Sequence, residues 1–231
     1  MKFKIFITTI LILNLLSSIT YSQNLVVKYE SYRGKSPDIN DNRFKNMPEQ
    51  IKIKAIENSM IKYKDVYTLS YCNGKSSYIY NERVFEKEPD FKSIGFLLNY
   101  FNDYKNEKII CVADWIPKDF QVIRNFNEIK KQLFDDTLTI NNLLCKKAEV
   151  EFLKDRKATV WYTPEIPIMA GPTWFFDLPG LVIRVEIMDY IIEAVKIEFP
   201  KLPLKIIIPN RKNTINYEEY RKSKVKEWLY K

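Results

Sequence analysis

Two acids flank a bend rich in glycine and proline. Glu165 lies before it, Asp177 lies inside it, and the intervening chain carries Pro167, Gly171 and Pro172. A pair of carboxylates is the minimal equipment for glycoside hydrolysis, one acting as acid and the other as base or nucleophile. No spacing forces these two together, and a carboxylate beside prolines more commonly accepts hydrogen bonds from turn amides, so the structural reading of Glu165 is preferred. Ser76 and Ser77 beside Lys75 suggest a serine–lysine dyad, but they follow a hairpin turn, where polar residues are expected anyway. The chain contains no histidine. That removes Ser-His-Asp and Cys-His catalysis and the commonest zinc ligand. Asp135, Asp136, Asp189 and Glu193 lack the spacing of a calcium loop, and there is no glycine-rich phosphate loop. The sequence therefore predicts no catalytic residue, no metal and no cofactor.

The three cysteines, Cys72, Cys111 and Cys145, are too far apart for a CxxC metal or redox motif. Each lies in an apolar, strand-like run. Either one pair closes as a disulfide, leaving an odd thiol, or all three are buried thiols. The compartment follows from the first 22 residues. Lys2 and Lys4 precede an apolar core from Ile5 to Leu16, and Thr20-Tyr21-Ser22 supplies a small-x-small site. This reads as a secretory signal peptide. Thr8, Thr9, Asn14, Ser17 and Ser18 interrupt the run, which is shorter than the roughly 20 apolar residues of a spanning helix. No second such run follows, so no transmembrane span is expected after the leader is removed. The net charge is +8, of which Lys2 and Lys4 contribute two. Export argues against nucleic acid as the partner of this basic surface, which reads instead as a solvated lysine-rich face or one turned toward anionic lipid or polysaccharide.

Short alternating segments dominate the rest. Residues 25–33 read as an opening strand and residues 49–61 as a short helix with Ile53, Ile56 and Met60 on one side. Tyr67, Leu69 and Tyr71 share a strand face before Asn73-Gly74, the favoured two-residue hairpin turn, and Ser76–Tyr80 return. Residues 91–105 are ambiguous between helix and kinked strand, and 108–115 read as a strand. A second hairpin over 144–163 places Ala148, Val150 and Phe152 on one face and turns at Lys154-Asp155-Arg156. A third pair follows, with Ile183, Val185 and Ile187 going out and Val195, Ile197 and Phe199 returning toward the core. Near the end, Asn216 with Glu219 reads as a capping box. It opens a basic helix over 217–230 whose apolar stripe is Tyr217, Tyr220, the Lys224 stem and Trp228. The fold class is mainly β: an antiparallel sheet, open half-barrel or sandwich-like, with a short helical segment and a C-terminal basic helix. The domain reading is a leader at 1–22, a β domain at 23–209 and a helical tail at 210–231.

The bend itself, residues 171–185 with the sequence GPTWFFDLPGLVIRV, holds two of the five glycines, each beside a proline. Pro179-Gly180 has the chemistry of a type II turn, glycine supplying the positive φ. Trp174, Phe175 and Phe176 either fold over the core as a plug or line a groove for an apolar or saccharide-like ligand. Cys145, Lys147-Ala148, Trp161-Tyr162-Thr163, Glu165-Ile166-Pro167, Gly171-Pro172 and Leu178–Leu181 together resemble the GLPGLI family of secreted Bacteroidetes proteins. The chain departs from that pattern at Asp177, where the motif has glycine, at Val182, where it has isoleucine, and at Lys131, where tryptophan is frequent. Aspartate suits the first position if the backbone there is left-handed. The resemblance implies a secreted or periplasmic envelope protein and implies no activity. The candidate site is accordingly the bend and its approach: Trp161, Tyr162, Glu165, Gly171, Pro172, Trp174, Phe176, Asp177, Pro179 and Gly180. The expected function is that of an exported, non-enzymatic binding or envelope-assembly protein, with an envelope protein or an apolar ligand as partner. The alternatives are a lipid or lipoprotein carrier and a carboxylate-dependent hydrolase.

Overall fold

In a computed structural model, residues 24–34, 47–60, 62–86, 98–113, 118–153 and 156–222 are described. The expected leader, the Lys154-Asp155 turn and the end of the basic helix, with Lys224 and Trp228, lie outside them. Twelve strands form one sheet: β1 Leu25–Arg33, β2 Tyr63–Cys72, β3 Lys75–Phe85, β4 Asn99–Asp103, β5 Lys108–Val112, β6 Phe120–Asn125, β7 Lys131–Ile140, β8 Leu143–Leu153, β9 Arg156–Thr163, β10 Leu181–Ile187, β11 Tyr190–Glu198 and β12 Asn213–Asn216. Among the described residues two α-helices accompany them, α1 (Glu49–Met60) and α2 (Tyr217–Lys222). The strand order is β12-β6-β5-β4-β3-β2-β1-β11-β10-β9-β8-β7, and the two outer strands do not pair. The sheet is thus open. It is mixed rather than purely antiparallel, because β12 runs parallel to β6, with Ile215 opposite Val122.

Hairpin chemistry sets most of this order. Asn73 and Gly74 both take positive φ, 51° and 68°, as a two-residue turn that follows strand twist requires. Asn141-Asn142, at 52° and 63°, makes the same kind of turn between β7 and β8. One face of the sheet carries the core, which includes Leu25, Val27, Tyr29, Leu69, Tyr78, Ala148, Val150, Val160, Val185 and Ala194. Rings reinforce it: Tyr67 stacks on Tyr78 at 4.7 Å, and Tyr78 meets Tyr29 edge-on at 5.9 Å. The sequence expectation fails at two positions. On β11, Val195 is exposed, whereas Ile192 and Ala194 are buried. A bulge explains this: Tyr29 pairs with Ala194 and Lys28 with Lys196, so Val195 is the extra residue and the alternation reverses there, leaving Ile197 packed on the core as expected. Phe199 is exposed because it lies just past the end of the strand. On α1, Ile53 is likewise exposed rather than part of a buried stripe.

The three cysteines are free thiols. Cys72, Cys111 and Cys145 lie on β2, β5 and β8. Three strand steps separate β2 from β5, and five separate β2 from β8. Even three steps amount to about 14 Å along the sheet, well beyond the roughly 7 Å that a disulfide spans between Cα atoms. Burial pushes the Cys145 thiol up to about 11.

The sheet is curved, and the bend shows how strongly. The Phe176 ring lies 5.6 Å from Tyr104, at the end of β4, while its neighbour Asp177 is ion-paired with Lys131 at the start of β7. Those strands are eight places apart in the sheet order, about 38 Å if the sheet were flat. Adjacent residues cannot bridge that distance, so the core-bearing face wraps around the 164–180 segment.

Candidate functional site

The segment between β9 and β10 is held by its own backbone. Amides of Ile168, Ala170 and Gly180 donate to the carbonyls two residues earlier, Ile166, Ile168 and Leu178, at 2.6–2.7 Å. These are γ-turns, and two of them centre on Pro167 and Pro179, where proline presets the required φ. The Pro179-Gly180 turn is therefore tighter than the expected type II turn. Gly180 does carry positive φ, 148°, and a β-carbon there would stand 2.0 Å from the Thr163 carbonyl oxygen. At Gly171 the constraint is close approach: a β-carbon would lie 1.9 Å from the Phe175 oxygen. The segment is also tied to β10, since Leu181 N–H donates to Ile166 and Val182 N–H to Ala170, both at 3.0 Å. The fully buried Tyr29 hydroxyl donates to the Val182 carbonyl at 2.5 Å.

The predicted residues take different roles in this frame. Tyr162 faces the core, whereas Trp161 lies on the opposite face, its indole N–H donating to Glu186 at 3.3 Å. Glu165 accepts the Leu144 amide at 2.7 Å, which is the structural role preferred from sequence. Thr163, with no exposed surface, donates to the Leu144 carbonyl at 2.9 Å and accepts from the Glu165 amide at 3.3 Å. Pro172 is buried and Pro179 exposed. Phe175 and Phe176 are sealed in the core, and Phe176 packs on Phe126 at 4.6 Å. Asp177 is left-handed, φ 58°, so the position that holds glycine in the motif does require that conformation. Two of the three departures from the motif meet in space: Lys131 donates to the carboxylate of Asp177 and, at 2.8 Å, to its carbonyl. The anchors of Glu165 and Asp177 are far apart. Leu144 sits near one end of β8, and Lys131 pairs with Val150, six residues further on, about 20 Å of strand. Each acid already has a partner, and the two are not brought together as a pair.

Trp174 is the ring left half-buried. It is a central residue of a turn in which Phe175 N–H donates to Pro172 at 2.9 Å, with Thr173 at φ 53°, a conformation rare for a β-branched residue. The indole meets Tyr100 edge-on at 5.5 Å and Tyr217 at 5.8 Å. Beside it lies a cavity of about 110 Å³, walled by Leu98, Tyr100, Ile109, Cys111, Val122, Arg124, Trp174, Tyr217 and Tyr220. Strand register builds the wall: Tyr100, Cys111 and Val122 form one row across β4, β5 and β6, and Ile109 with Arg124 forms the next. The Arg124 guanidinium lies 4.7 Å from the Tyr217 ring centre and 5.7 Å from that of Trp174. Burial pushes the Cys111 thiol up to about 12, against the pull of a hydrogen bond from Tyr100. Of these residues, sequence reasoning placed only Trp174 at a site. The helical spacing of Tyr217 and Tyr220 was the one other signal. Nothing local links Arg124 to either.

Among the described residues no group of three or more Cys, Asp or Glu side chains is placed to hold a metal ion. Nor, among them, is any helix long and apolar enough to cross a membrane, which says nothing about crossing by strands.

A comparison with curated proteins finds no match. A family model described as "Protein of unknown function (Porph_ging)" matches residues 100–184, from β4 into β10. Among solved structures, two crystal forms of PNGF-II superpose with TM-scores of 0.55 and 0.53 at 15% and 16% identity. Each superposition covers 91% of this chain but 34% and 33% of PNGF-II, so the chain spans about a third of the length of those structures. The likeness to PNGF-II is one of fold alone, and the likeness in sequence, through the block that contains the bend, is to a family of unknown function.

Proposed function

We propose that this is an exported cell-envelope protein with a binding or assembly role and no catalysis of its own. One observation carries the reading: the inner face of the curved sheet is occupied by the chain's own bend, and both candidate acids are spent on holding that bend in place. The leader-like first 22 residues and the GLPGLI resemblance support an envelope location, secreted or periplasmic. The match of residues 100–184 to a family of unknown function is compatible with membership in the same group. The hydrolase alternative draws no support from the carboxylates, which face different partners. The carrier alternative draws little, because the cavity beside the bend, about 110 Å³, is smaller than the roughly 150 Å³ that accommodates benzene.

The test combines location and chemistry. Fractionation of the native cell should recover the protein with the envelope, and the purified protein should turn over no glycoside, ester or peptide substrate in broad panels. Recovery in the cytosol, or turnover that Glu165→Gln abolishes, overturns the proposal. Capture of bound proteins and lipids from the native envelope then separates an assembly factor from a carrier.

A further inference from the structure

Residues 199–212 carry the chain from β11 to β12 as an extended strap. Asn24, just before β1, donates to the Pro200 carbonyl at 3.2 Å, and the Arg211 amide donates to Gln121 Oε1 on β6 at 3.1 Å, so the strap crosses five strand steps of the sheet. Among the described residues no backbone hydrogen bond holds 201–210 between those ties. Burial alternates along it: Leu204, Ile206 and Ile208 are half-buried, whereas Lys205 and Ile207 point outward. Ile207 is 67% exposed and Leu202, at the bend that opens the strap, 79%, the two most exposed large apolar side chains among the described residues. The charge is one-sided. Lys201, Lys205, Arg211 and Lys212 lie between Phe199 and Tyr217, and no acid does. Lys201, Lys205 and Lys212 are exposed, and none of the three is ion-paired among the described residues. The acids beside the strap have other partners: Glu198 pairs with Lys196, and Asp119 accepts the Asn213 side chain.

Exposed aliphatic side chains interleaved with unneutralised lysines suit one kind of surface. At a bilayer the aliphatic groups enter the boundary between headgroups and acyl chains, and the ammonium groups reach the lipid phosphates on their flexible stems. A polypeptide that adds itself as a strand is a poorer fit, because Pro203 and Pro209 offer no N–H to a ladder. We propose that the 199–212 strap docks on the surface of an anionic bilayer, with Leu202 and Ile207 entering the headgroup boundary and Lys201, Lys205 and Lys212 facing lipid phosphates. The protein is then held at the membrane surface by its strap. This deepens the envelope reading and rests on it, since it names the partner as the lipid surface itself.

The test sediments the protein, as exported by the native cell, with vesicles of mixed phosphatidylglycerol and phosphatidylcholine or of phosphatidylcholine alone. Binding to the mixed vesicles should be tighter by about tenfold or more, as unpaired lysines supply at an anionic surface, and should weaken in high salt. Leu202→Ser combined with Ile207→Ser changes only exposed positions, so it should keep the native melt and weaken binding by about tenfold. Lys201→Gln, Lys205→Gln and Lys212→Gln together should remove the preference for phosphatidylglycerol. Leu133→Ser with Leu138→Ser, exposed leucines on β7, should leave binding unchanged. Equal binding to the two vesicles, binding indifferent to the strap variants, or an equal loss in the β7 variant overturns the proposal. So does a change of sedimentation coefficient in the strap variants without lipid, which makes the strap a contact between copies. Loss of a captured envelope protein from the Leu202/Ile207 variant with vesicle binding intact also overturns it, in favour of a protein partner. Recovery of the parent protein in the cytosol strikes the envelope reading whatever the vesicles show, and failed vesicle binding leaves an envelope-recovered, inactive protein as it was, so the two readings fail separately.

Discussion

Replacing Gly180 by alanine tests the architecture of the bend most directly. Two costs coincide there. The added β-carbon would lie 2.0 Å from the Thr163 carbonyl oxygen and 2.6 Å from its carbon. Both are backbone atoms, in a residue whose hydroxyl ties Leu144 and Glu165 together. Relieving such overpacking costs about 1–3 kcal/mol. A φ of 148° also falls in a region that only glycine adopts readily, worth about another 1–3 kcal/mol. The sum, roughly 2–6 kcal/mol, corresponds to a fall in Tm of about 5–20 °C for a chain of this size. Gly74→Ala is the natural comparison: its φ is 68°, but nothing lies within 4 Å of the new carbon, so only the backbone cost remains, about 1 kcal/mol. Val182→Ile adds a methylene at a fully buried site and should cost about 1–3 kcal/mol from overpacking, with no backbone penalty. Thermal and urea melts followed by near-UV circular dichroism, which reports on the packed rings, measure all three. A Gly180→Ala melt within 2 °C of the parent, or a Gly74→Ala loss as large as that of Gly180→Ala, refutes the geometry.

Three further outcomes are expected. Lys131→Ala and Asp177→Gly, taken in a double-mutant cycle, should show a coupling of about 0.5–1 kcal/mol that shrinks in high salt, because the pair is partly exposed; zero coupling at low salt contradicts the pairing. Thr173→Asn should raise stability by about 1 kcal/mol, since asparagine tolerates φ 53° better than a β-branched residue; a lower Tm counts against strain at that residue. Stability should fall as pH rises above about 9. Cys111 keeps its proton in the fold until about 12, whereas in the unfolded chain it loses it near its ordinary value, so the folded state binds more protons across that window. The slope is about 1.4 kcal/mol per pH unit for each such thiol, and an identical alkaline slope in Cys111→Ala argues against that account.

Much of the sheet was legible because its signals are local. Asn73-Gly74 specifies a hairpin by turn chemistry, and the alternation through Ala148 and Val150 identifies the inner face of β8. What escaped depends on pairing between distant segments. The β11 bulge that exposes Val195 exists only in register with β1, and the parallel strand β12 carries four residues without distinctive composition. The bend was legible as a constrained corner from its prolines and glycines, and Asp177 as a left-handed position from the motif. The cavity was not. Tyr100, Cys111 and Val122 become neighbours through the order β4-β5-β6, and Arg124 meets Trp174 only because the sheet curls. No periodicity within one segment encodes that meeting.

The outer strand β7 carries a further implication. Within the described sheet it has a partner on one side only, and Leu133 and Leu138 are exposed along it. Such a margin invites another chain to add itself. The ladder with β8 is interrupted between Leu133 and Thr137, where four steps along β7 match two along β8, and Asp135 and Asp136 fall inside the interruption. Two negative charges on an irregular stretch of backbone are the kind of device that discourages a second copy from continuing the ladder.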